Sequence, residues 1–205
     1  VVALIPSLAI TVLLVLYFYY IDPNREPIGK IIEALLLGFL IAYPASQLQG
    51  FIPSVEHYFY KSFISAGLIE EFFKLLALFI ILYGSKHYNE KIDGITYGVM
   101  VALGFSVAEN LLLIQDVQVG LVRAFTATPA HALYGISMGY YFSKFIHREQ
   151  VRYLLPALFI PVVLHGVYNV IIMSGYIFSL LLFIPFMVYM WVLSMRKHDR
   201  YSDKV

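Results

Sequence analysis

Apolar runs of about bilayer length follow one another along this chain, with only short polar breaks between them. In hydrocarbon every backbone N–H and C=O must be bonded within the protein, so only helices or closed barrels can cross. Barrel strands would read as recurring segments of about ten alternating residues, and none recur here. The expected fold is therefore all-α, a polytopic transmembrane helical bundle. Composition agrees: 60% of the 205 residues are hydrophobic and 13% are charged, where a soluble domain carries about 25% charged residues.

A crossing takes about 20 apolar residues. This predicts about seven spanning helices, at 1–21, 28–48, 62–83, 92–114, 121–142, 152–173 and 176–195, in a single integral membrane domain covering 1–205. The second is the weakest, because Lys30, Glu33, Pro44, Gln47 and Gln49 dilute it. The first reads as a span and not a secretory signal, since it lacks a basic start and an Ala-x-Ala exit. The chain has no cysteine, which removes disulfides, iron–sulfur clusters and thiolate zinc sites. A net charge of +1 excludes a broad basic surface, so no nucleic-acid partner is expected.

Loop charge predicts orientation. Arg25, Lys30, Lys86, Lys91, Lys144, Arg148, Arg152, Arg196, Lys197, Arg200 and Lys204 follow the odd-numbered spans, while only Lys61 and Arg123 follow even ones. Lys and Arg accumulate on the cytoplasmic side. The N-terminus is therefore expected outside and the C-terminus in the cytoplasm, in a multi-pass protein of the plasma membrane.

Against this apolar background a few polar residues stand out. Glu70 and Glu71 are adjacent inside span three, and one carboxylate at mid-helix costs about 2.5–3.5 kcal/mol on insertion scales. Later spans carry Glu109-Asn110, His131, and His165 with Asn169. At about 1.5 Å per residue, all fall about 6–15 Å below the outer surface. A shared depth is the layout of a cavity open to the outside. Each also has a structural reading. Lys74 lies i,i+4 from Glu70 and i,i+3 from Glu71, so it can pair with one carboxylate but leaves the other unexplained. Glu109-Asn110 could bond neighbouring helices, and a lone His131 could be a satisfied core histidine. His131 belongs to the stripe Ala127, His131, Gly135, Gly139, which would let another helix come close. Gly94, Gly98 and Ala102 form a second such stripe. The histidines His57, His87, His147 and His198 read as solvated loop residues.

In order, Glu70-Glu71-x-x-Lys74, Phe105-x-x-x-Glu109-Asn110, His131 and His165-x-x-x-Asn169 resemble the PrsW family of intramembrane proteases. This is part of the larger group that contains the type II CAAX prenyl proteases. The stretch Asp22-Pro-Asn-Arg-Glu-Pro27 also resembles the family's Asp…Glu-Pro segment. The likeness runs over about 17–173. The CAAX branch carries Phe-x-x-x-His where this chain has Glu109, which favours the PrsW branch. The resemblance implies an intramembrane endopeptidase acting on a single-pass membrane protein, such as an anti-sigma factor. It also implies that His165 and Asn169 hold the oxyanion.

The residue types themselves allow three chemistries. With no Cys, no Ser beside a His-Asp pattern and no His-Glu-x-x-His, a carboxylate acting as general base on water remains, either Glu70 or Glu71. Two adjacent carboxylates in low dielectric do not both ionise readily, so one is expected neutral and the other charged beside Lys74 or a histidine. Glu109 or His131 would orient water or protonate the leaving amine, with Lys74 and Asn110 as structural partners. No cofactor is expected on this reading. Alternatively, Glu70, Glu71, Glu109, His131 and His165 are acceptable zinc ligands, with Glu71, Glu109, His131 and His165 the first candidates. A proton-coupled transporter is the third possibility, but no internal repeat of the kind transporters show is found.

Overall fold

Without water the chain bonds its own amides, and the computed structural model shows this as helix throughout. It describes residues 2–22, 24–51, 57, 59–83, 85, 88–173, 184–189, 191–192 and 195–196. Helix α1 is Ile5–Tyr20, α2 Ile28–Phe51, α3 Ile69–Leu82, α4 Lys91–Leu113, α5 Val117–Phe125, α6 Ala127–Arg148 and α7 Leu154–Met173. A nine-residue π-helical segment, Tyr60–Leu68, runs directly into α3. Among the described residues there is no strand. The protein is an all-α membrane bundle.

Among the described residues, four helices are long and apolar enough to cross a bilayer: Val2–Tyr20, Ile28–Phe51, Lys91–Leu113 and Val151–Met173. This is fewer than the seven expected. In the third expected span the π-helical segment takes the first residues, and Glu70, Glu71 and Lys74 charge the remaining 14. The expected span at 121–142 is two helices. Pro129 has no N–H and its ring crowds the carbonyl four residues earlier, on Phe125. The chain accordingly ends α5 at Phe125, turns at Thr126 and starts α6 at Ala127. Asp116 caps α5, its Oδ1 accepting from the Val119 amide at 2.9 Å. The expected span at 176–195 lies largely outside the described residues, although Trp191 reaches Tyr17 on α1, with ring centroids 6.3 Å apart. His87 and His198 also lie outside them, and His57 and His147 are exposed.

Helix α4 is the hub. Its residues are mostly buried, from Ile92 to Ser106 without a break. It packs against α1, α2, α3 and α6. The close approach to α6 is written in glycine. A Cβ added at Gly139 would collide with the Gly94 carbonyl and come within 2.8 Å of Ile95 Cα. One added at Gly98 would meet the Gly135 carbonyl at 2.5 Å. The stripe continues at helical spacing to Phe105 and Glu109 on α4, and back to His131 on α6. Backbone contact at the glycines thus fixes the separation at which Glu109 and His131 meet. At the other end of α4, the α1–α2 connection is tied down. Asp22 Oδ2 accepts from the Thr96 hydroxyl at 2.8 Å, and Glu26 Oε2 from the Tyr97 hydroxyl at 2.7 Å.

Gly139→Val is expected to destabilise the protein by about 1–3 kcal/mol through overpacking, read as a lower melting temperature in detergent. Gly29→Ala is the control, because nothing lies within 4 Å of a Cβ added there. Equal melting of the two variants would contradict the close α4–α6 contact.

Candidate active site

Charge inside an apolar bundle must be matched by charge or hydrogen bonds, and one lysine does most of that matching. Lys74, on α3, is 1% exposed. Its Nζ donates to Glu71 Oε1 at 2.7 Å and to His131 Nδ1 at 3.0 Å, and stands 3.7 Å from Glu70 Oε2. The ammonium also lies 4.4 Å above the Phe105 ring centre, a cation–π contact that partly replaces lost water.

The lysine sets the histidine tautomer. An ammonium can only donate, so neutral His131 accepts at Nδ1 and carries its proton on Nε2. That Nε2–H donates to Glu109 Oε2 at 2.9 Å. The same oxygen is 2.9 Å from Arg123 Nη2. Arg123 is held in place by Asn110, whose Oδ1 accepts from Arg123 Nε at 2.6 Å and whose Nδ2 donates to Thr128 Oγ1 at 3.2 Å. On the other side, His165 Nδ1 donates to Glu71 Oε1 at 2.9 Å. Its Nε2 lies 3.9 Å from Glu70 Oε2. The Tyr134 ring stacks on His165 at 5.0 Å and 15°, and meets His131 nearly edge-on at 5.7 Å and 70°. The ring orientations are therefore fixed by packing as well as by hydrogen bonds.

The structure thus brings Glu70, Glu71, Lys74, Glu109, His131 and His165 into one network from α3, α4, α6 and α7. Within it there are two layers. Glu70 and Glu109 line a cavity of about 620 Å³ together with Gln49, Arg123, Tyr168 and Asn169. Glu71, His131 and His165 lie behind that wall and are at most 3% exposed. Asn169 is half-buried one turn beyond His165 on α7. Buried polar atoms here without a hydrogen-bond partner include Glu70 Oε2, Glu71 Oε2, the Tyr134 hydroxyl and Arg123 Nη2, the last in ion-pair contact with Glu109. A buried carboxylate oxygen left unpaired is costly, and its presence on a cavity wall is the arrangement of a group kept free for a ligand or a proton.

Gln49, Arg123 and Tyr134 were not singled out from sequence. Gln49 reads there as a polar dilution of a weak span, and Arg123 as a loop cation. Tyr134, one turn after His131 on the same helix, carried a usable signal: the i,i+3 spacing puts both on one face.

The residues also fit a divalent cation. Glu70, Glu109 and His131 each offer one ligand atom, all within 4.8 Å of one another, and oxygen plus imidazole nitrogen suits zinc. All three are among the ligand candidates read from sequence, Glu109 and His131 among the first. Glu71 spends its Oε1 on Lys74 and His165. Ligation by His131 Nε2 would require the proton now shared with Glu109 to leave.

The comparisons with known proteins agree on one family. The model of the PrsW family intramembrane metalloproteases matches residues 26–193. Protease PrsW of Bacillus subtilis (strain 168) is 35% identical over 193 residues, covering 88% of this chain and 87% of that protein. Protease PrsW of Clostridioides difficile (strain 630) is 34% identical over 195 residues, covering 87% and 82%. That of Oceanobacillus iheyensis is 34% identical over 207 residues, covering 97% and 93%. No solved structure matches. Apolar helices built around a buried network of carboxylates, lysine and histidines are what a hydrolase working inside a bilayer requires, and this chain belongs to the PrsW family of intramembrane proteases.

Proposed function

We propose that the protein cuts a single-pass membrane protein near its extracytoplasmic face, using water activated by Glu70, and that its substrate is a regulator of the anti-sigma factor type. The observation that carries this reading is Glu70 Oε2. It belongs to a residue on the cavity wall, is buried and has no hydrogen-bond partner, and faces Lys74 at 3.7 Å and His165 at 3.9 Å. Of the two glutamates weighed as base, Glu70 is the one on the cavity wall. Glu71, tied to Lys74 and His165, acts as their anchor.

Water gives a proton to Glu70 Oε2 while its oxygen bonds to the scissile carbonyl carbon. Charge collects on the carbonyl oxygen, where Asn169 on the cavity wall donates, and preorganised donors matter most in such a water-poor site. His165 stands behind the wall and is oriented by Glu71, which accepts from its Nδ1 at 2.9 Å. The proton on Glu70 then passes to the leaving nitrogen as the C–N bond breaks. Glu109, fixed between His131 and Arg123, lines the same wall and orients the water.

The side of cleavage rests on the Lys and Arg asymmetry, with the C-terminus in the cytoplasm and the site in the outer half of the membrane. A prenylated cytoplasmic C-terminus would enter from the other side, and Glu109 replaces the histidine of the CAAX branch. A second reading, metal-dependent hydrolysis, is favoured by the Glu70, Glu109, His131 group and by the family's description. An ion held there would act as a Lewis acid on water or on the substrate carbonyl.

On co-expression with a candidate single-pass substrate, Glu70→Gln, Glu71→Gln, Glu109→Gln and His165→Ala are each expected to lower cleavage by about 10²–10⁴-fold while remaining folded, Glu71→Gln with a lower melting temperature because it removes a partner of Lys74. Near-wild-type product from all four would reject the assignment. Lys74→Met strands a buried charge, at a cost of about 3–5 kcal/mol, so its chief effect is a lower melting temperature; a melt like wild type would show that Lys74 is not the charge partner.

Elemental analysis of the purified, active enzyme separates the two readings. The glutamate reading expects no stoichiometric metal and activity that survives chelation. One equivalent of metal per chain, with activity lost to a chelator and restored by zinc, would replace it with the metal reading.

A further inference from the structure

We infer that Gln49, on α2, is a positioning residue that holds one oxygen of Glu70 and thereby reserves the other for the proton of the attacking water. The inference rests on the reading of Glu70 as the base. Gln49 Nε2 lies 3.0 Å from the backbone carbonyl of Ser65 and 3.1 Å from Glu70 Oε1. A backbone carbonyl can only accept, so the Ser65 oxygen decides the orientation of the amide: the NH₂ group, and not the amide oxygen, faces this pair. One of its hydrogens goes to Ser65 and the other to Glu70 Oε1. An oxygen that accepts a hydrogen bond in this way is the poorer place for the carboxyl proton, because a carbonyl oxygen accepts better than a hydroxyl one. A proton on Glu70 therefore favours Oε2, the oxygen that has no hydrogen-bond partner.

This assigns each oxygen of the carboxylate a separate task. Oε1 stays bonded to Gln49 through the whole cycle, so the group does not rotate when it is protonated. Oε2 takes the proton from water and returns it to the leaving nitrogen. The same amide also holds the π-helical segment Tyr60–Leu68 through Ser65, fixing the chain that leads into Glu70. Gln49 lines the cavity beside Glu70 and is half-buried, so it reaches the carboxylate from a helix that carries none of the other polar site residues.

A purely structural Gln49 would only fasten α2 to the segment before α3, and kinetics separates the two roles. Full-length enzyme in liposomes would be assayed on a membrane substrate as Gln49→Met, which keeps length but removes the donor, and as Gln49→Ala, which opens onto the cavity and leaves room for water. The expected result is a fall in kcat of about 10–100-fold with KM within about twofold, the loss typical of a misplaced reacting group. In a Glu70→Gln background, Gln49→Met should add no further loss. Three outcomes would overturn the inference: unchanged kcat in both variants, a raised KM with kcat intact, or a loss that multiplies with Glu70→Gln. If Gln49→Met fails to fold, Gln49→Ala decides on the same criteria. An active Glu70→Gln enzyme would instead overturn the reading of Glu70, so the two failures are distinguishable.

Discussion

A single ammonium group, that of Lys74, holds the site together. It donates to Glu71 on its own helix and to His131 on α6, and rests over Phe105 of α4. A cation this deep is stable only if its partners are all in place, because losing one leaves a charge in low dielectric. Lys74 therefore couples the correct packing of three helices to the correct protonation of the site. It fixes the proton of His131 on Nε2, which directs that proton to Glu109. It also keeps Glu71 an acceptor, so that His165 donates from Nδ1.

Geometry upstream of the lysine is set by small residues. The α4–α6 contact is backbone on backbone at Gly94, Gly98, Gly135 and Gly139, and α2 approaches α4 equally closely where Gly38 meets the Val101 carbonyl. Such contacts leave little play, as expected where helices in lipid associate by packing and not by excluding water. The layout of the candidate site is thus a consequence of the packing. Glu109 and His131 lie at the far end of the same stripe that the glycines begin.

Much of this was legible in the chain. The ordered motif from Glu70 to Asn169, the shared depth of its members and the small-residue stripes all point to one buried site, and the structure does gather Glu70, Glu71, Lys74, Glu109, His131 and His165. What was not legible depends on partners across helices. Gln49 looked like an impurity in a weak span, because nothing in sequence says that α2 faces the segment before α3. Arg123 reaches Glu109 only because Pro129 breaks the expected fifth span and leaves α5 as a separate short helix. Periodicity does not reveal which face of the cavity a side chain takes, so the division between Glu70 on the wall and Glu71 behind it needed coordinates. The span count erred for a related reason: charges and a π-helical start make the third segment a poor span by composition, and the sixth helix is rich in small and polar residues.

The central claim is that the site works from the outer half of the membrane on a membrane-protein substrate. Mass spectrometry of the products formed from a single-pass substrate, with both new termini sequenced, tests it most directly. The account predicts a cut in the substrate's extracytoplasmic juxtamembrane region or the outer part of its span, absent with Glu70→Gln. A cut mapped to the cytoplasmic juxtamembrane segment would contradict it.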